Sequence, residues 1–91
     1  MQAQMCLKVL PAGLGAVGAA LASYPEVRYC AAVTGTHNLV LEICLEHEAD
    51  LYRFLGEQLG SIPHITDVAT EIITHAYKRA FVIKPGATGE R

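Results

Sequence analysis

Apolar positions recur along this chain with two different periods, and the switches between them outline its elements. Residues 4–10, QMCLKVL, alternate Met5, Leu7 and Val9 with Cys6, Lys8 and Leu10. That is the two-residue period of a strand with one face better buried than the other. Pro11 ends it. From Gly13 to Ser23 the period lengthens: Leu14, Val17, Gly18 and Leu21 lie three or four residues apart and stack on one helical face. Gly15 and Gly18 weaken that helix intrinsically, so packing must hold it, and their missing side chains suit a close approach to a sheet. Pro25 stops the helix.

Alternation returns in VRYCAAVT (27–34), with Val27, Tyr29, Ala31 and Val33 on one face and Arg28, Cys30, Ala32 and Thr34 on the other. Gly35 breaks it. NLVLEICLEH (38–47) forms the next strand, setting Leu39, Leu41, Ile43 and Leu45 against Val40, Glu42, Cys44 and Glu46. Thr-Gly-Thr-His-Asn at 34–38 then reads as a hairpin turn, with Gly35 supplying a positive φ and Asn38 a local hydrogen bond. The same residues can also offer backbone N–H groups and Thr, His and Asn side chains to a bound carboxylate or amide.

A second helix is predicted from Asp50, whose carboxylate can cap it, to Gly60, with Leu51, Phe54, Leu55 and Leu59 as its apolar stripe. The last strand runs through HITDVATEIITHAYKRAFVI (64–83). It places Val68, Thr70, Ile72 and Thr74 on one face and Ala69, Glu71, Ile73 and His75 on the other. Residues 1–3 and 85–91 read as tails around a domain at 4–84, with Gly86 to Arg91 a loose end.

The order β-α-β-β-α-β is that of the ferredoxin-like α+β fold, a four-stranded antiparallel sheet with two helices on one face. The other face still needs cover. Its Cys, Ala, Thr and Val content predicts a homodimer formed through that face or through a strand edge, a dimeric α/β sandwich. Composition supports this. The chain is 52% hydrophobic and 18% charged, against about 25% charge in typical soluble domains. Its ninety-one residues make one small domain with proportionally much surface to solubilise.

Charge and chemistry narrow the function classes. The net charge is -2, and of the seven basic residues only Lys78 and Arg79 are adjacent, too little convergence for a surface that grips DNA or RNA. Cys6, Cys30 and Cys44 sit in apolar sequence without a CxxC pair, which reads as small buried hydrophobes in a reducing compartment. There is no secretory leader pattern, and no apolar run approaches roughly 18 residues, so a cytoplasmic protein with no membrane span is expected. His37, His47, His64 and His75 show no ligand spacing, which predicts no metal site and no cofactor. Glu42 and Glu71 each interrupt an apolar strand. They are expected to face solvent, a subunit partner or a ligand, or to neutralise Arg28 across the sheet.

The segments YPEV (24–27), VTG (33–35), LVLEICL (39–45), LYRFL (51–55), LGSIPHI (59–65) and VATEIIT (68–74) resemble the effector-binding domain of the Lrp/AsnC family. These are the leucine-responsive and asparagine-regulator proteins, and the domain is also called RAM. The resemblance spans residues 4–84 and implies a ferredoxin-like dimer that assembles further, into tetramers or octamers. Small effectors, often amino acids, would bind at crevices between subunits. It also implies that Gly35 matches the turn glycine of that crevice, that Asn38 stands where aspartate is frequent, and that Thr70 falls at a threonine or serine position near the pocket. The effector that the resemblance implies is an amino acid, although a neutral asparagine would hold its ammonium group more weakly than aspartate. The candidate effector-binding residues are therefore Thr34, Gly35, Thr36, His37, Asn38 and Thr70.

Family members usually begin with a helix-turn-helix domain, and no segment here reads as one. The chain is expected to be either a stand-alone effector domain or the C-terminal piece of a regulator, contacting DNA only through a separate helix-turn-helix unit. Two other classes use the same residues. A small dimeric ferredoxin-like enzyme, of isomerase or monooxygenase type, would employ His37 or His64 as general base with Glu71 orienting it. Nothing fixes a nucleophile, base and orienting group in one geometry, so no catalytic residue is assigned. A pure assembly module would show only apolar contacts.

Overall fold

In a computed structural model of the chain, residues 1–79 are described. Of the long last strand predicted over 64–83, the described residues form strand only over Ile65–Ile73; its predicted end from residue 80 onward and the tail from Gly86 lie outside them. Strand β1 (Gln2–Val9) leads through a 3-10 turn (Pro11–Gly13) into helix α1 (Leu14–Ala22). Strands β2 (Val27–Ala32) and β3 (Leu39–Cys44) follow, then helix α2 (Glu48–Arg53) and strand β4 (Ile65–Ile73). The four strands pair antiparallel in the order β2-β3-β1-β4, so the ferredoxin-like arrangement read from the periodicity is the one the protein adopts.

The core follows from the alternation. Met5 opposes Leu41 and Leu7 opposes Leu39 across β1 and β3, and directly opposed residues share a face. All four are wholly or almost wholly buried, together with Ala3, Val9 and Ile43. Val17 and Leu21 of α1 and Leu51, Phe54 and Leu59 of the second helical segment close over them. Tyr24 meets Phe54 edge to face at a centroid distance of 6.0 Å and 80°, tying the end of α1 to that segment.

Several local expectations are corrected. β1 begins at Gln2, so the predicted tail 1–3 joins the sheet, and Met1 exchanges backbone hydrogen bonds with Leu45. The second helical segment runs from Glu48, and continues beyond Arg53 as a π-helical turn (Phe54–Gln58) and a 3-10 turn (Leu59–Ser61). His47, rather than Asp50, is its N-cap. Asp50 sits in the first turn and accepts the His47 backbone N–H at 3.1 Å, the reach-back half of a capping box.

Gly15 and Gly18 do not mediate close packing: a Cβ at Gly15 would meet open space, and one at Gly18 would lie an ordinary 3.8 Å from Leu39. The close approach is elsewhere. A Cβ at Gly13 would fall within 2.6 Å of the His64 ring, and His64 itself adopts a positive φ of 79°. β2 also departs from plain alternation. Val27 opposes Ile43 while Tyr29 opposes Glu42, so Arg28 is the extra residue of a bulge. Val27 therefore shares the inner face with Cys30 and Ala32, and Tyr29 and Ala31 turn outward.

The outer face carries two rows read directly from the register: Tyr29–Glu42–Gln4–Glu71, and Ala31–Val40–Cys6–Ala69. Among the described residues no helix lies over either row.

Candidate functional site

The Thr34–Asn38 turn projects from one end of the sheet. Val33 donates its N–H to the Asn38 carbonyl at 3.1 Å and Asn38 donates its own to Leu7 at 2.9 Å, fixing the base of the turn. The Asn38 side chain extends this ladder. Its Oδ1 accepts the Val9 N–H and its Nδ2 donates to the Val9 carbonyl, both at 2.9 Å. The carboxamide thus imitates a further residue of β3 pairing with β1, and it is committed to the backbone rather than presented to a ligand.

A second tether holds the tip. His37 Nε2 lies 2.8 Å from Asp67 Oδ2 on β4, and Asp67 stands opposite Lys8. Gly35 sits at φ +124°, a conformation L side chains rarely adopt, so the turn requires glycine there. Between these anchors Thr34, Gly35 and Thr36 are exposed. Among the described residues neither threonine hydroxyl has a hydrogen-bond partner. The result is a turn with a fixed base and unspent polar groups at its tip.

Thr70 is not brought to this turn within one protomer. It opposes Met5, three residues along β4 from Asp67, roughly 10 Å away at about 3.4 Å per residue, and it faces the helix side while Asp67 faces outward. Its flanking residues on that side, Val68 and Ile72, remain 37% and 41% exposed. Leu7 and Ala3, directly beside them, are 0% and 1% exposed. The helices cover the sheet centre and leave this edge as an apolar strip with one hydroxyl in it.

The other polar candidates separate. His47 caps α2, His64 packs on Gly13, and His75 meets Tyr77 edge to face at 4.7 Å. Among the described residues no three His, Cys, Asp or Glu side chains are grouped to hold a metal ion. Glu42 and Glu71 flank Gln4 on the outer face, and among the described residues neither forms an ion pair with Arg28. Arg28 and Glu42 line one cleft with Lys78 and Arg79 at the Gln2 end of that face, where Arg79 donates to Gln2 Oε1. Basic residues that are dispersed in sequence therefore do converge in space. Of the cysteines, Cys30 is partly buried and its Sγ approaches the Gly18 carbonyl at 3.8 Å. Burial pushes its thiol pKa above the ordinary value of 9.0.

Sequence reasoning missed Asp67, Val68 and Ile72 as parts of the site. Asp67 and His37 are 30 residues apart, and only the β1–β4 register places one beside the other.

Comparison with known families matches residues 2–83 to the Lrp/AsnC ligand binding domain. The chain belongs to that family. It is 32% identical over 68 residues to the uncharacterised HTH-type transcriptional regulator PH0140 of Pyrococcus horikoshii, a match covering 75% of this chain. It spans 43% of that regulator's length. Among solved structures, TTHA0845 from Thermus thermophilus superposes with a TM-score of 0.80 at 24% identity, over 86% of this chain and 98% of that one. The transcriptional regulator NMB0573 from Neisseria meningitidis, solved as an L-Met complex, superposes with a TM-score of 0.79 at 20% identity, over 86% of this chain and 52% of that one. Both likenesses establish the fold of this Lrp/AsnC domain. No helix among its described residues is long and apolar enough to cross a membrane.

Proposed function

We propose that this Lrp/AsnC domain senses a small effector, of amino-acid class, at a crevice completed by a second subunit, and converts its binding into a change of assembly. The observation that carries this reading is the anchored turn. Thr34, Gly35 and Thr36 hold unspent donors and acceptors above a base clamped by Asn38 and His37, so little ordering entropy opposes binding. The L-Met bound to the Neisseria regulator supports the effector class. Thr70, with Val68 and Ile72 exposed beside it, supplies the wall that one subunit presents to another's turn.

The outer face supports the homodimer. Glu42 and Glu71 lie in one row across it, and Arg28, Lys78 and Arg79 gather at the Gln2 end in a cleft that Glu42 also lines. A two-fold partner can set its acidic row against this basic cluster, the self-complementarity that such an interface needs. Higher assembly to a tetramer or octamer would then join dimers through the turn and the β4 edge. An effector preferring one arrangement shifts the population toward it, by linkage. A helix-turn-helix unit joined to the domain would carry that shift to DNA. The domain itself performs no reaction in this reading.

Sedimentation velocity of the purified chain, alone and with each of the twenty amino acids, tests it. A dimer that shifts to a larger species with particular amino acids, and loses the response in Thr36→Ala and Thr70→Val, is expected. A monomer indifferent to every amino acid overturns both the assembly and the sensing.

A further inference from the structure

We draw no further inference here: the strongest candidate, the apolar groove of about 390 Å³ between α1 and the edge strand β2, lined by Leu14, Gly18, Ala22, Cys30 and Ala32, carries nothing because nothing in the structure shows what covers it.

Discussion

Asn38 and Val9 exchange two side-chain-to-backbone hydrogen bonds of 2.9 Å each, so one carboxamide completes the end of the β1–β3 ladder. Replacing it with aspartate keeps the acceptor for the Val9 N–H but removes the donor to the Val9 carbonyl and sets a carboxylate against it. Asn38→Asp is expected to lower stability by about 1–3 kcal/mol, read as a drop in urea midpoint at unchanged m-value. An unchanged midpoint would mean that the clamp contributes nothing.

The His37–Asp67 contact should behave differently. Its side chains are 31% and 59% exposed, and exposed pairs contribute at most about 1 kcal/mol. Asp67→Ala is therefore expected to leave global stability nearly intact while loosening the tip. Amide hydrogen exchange at Thr36 and His37 should quicken, with exchange in β1 and β3 unaffected.

Two glycines should respond in opposite directions to the same change. Gly35→Ala places a Cβ at φ +124° and should destabilise by about 1 kcal/mol or more. Gly15→Ala adds a methyl to open space on a helix and should stabilise by about 0.5–1 kcal/mol. Thermal unfolding of the two variants beside the parent checks both signs.

The cysteines should differ in reactivity. Burial raises the Cys30 thiol above 9.0, so near pH 8 its thiolate fraction is smaller than that of an ordinary cysteine. Exposed Cys44 should react with a thiol reagent first and Cys30 last. Because the folded pKa exceeds the unfolded one, the neutral thiol is the form that folding favours. Stability is therefore unaffected by this group well below pH 9.0, and the folded state loses ground as pH rises through 9.0 toward the folded value, where the unfolded chain releases its proton more readily. Cys30→Ser should flatten that alkaline decline.

Much of this protein is determined locally. The two-residue period of Met5, Leu7 and Val9 and of Leu39, Leu41 and Ile43 names the buried face of both central strands. The three-to-four spacing of Val17 and Leu21 names the face of α1, and those positions are the ones the fold buries. The spaced apolar motifs also carry the family resemblance, because a core pattern survives wherever the same packing must be satisfied.

Tertiary structure decided what stands across from what. Alternation assigns a residue to a face but is silent on its partner in a distant strand, and a single bulge at Arg28 reverses the assignment for Val27. The Asn38–Val9 clamp and the His37–Asp67 tether join residues 29 and 30 positions apart. The basic cleft gathers Arg28 with Lys78 and Arg79 only because Ala76–Arg79 return over the Gln2 end of the sheet. Such contacts depend on register, and register is settled by the whole sheet closing on its core at once.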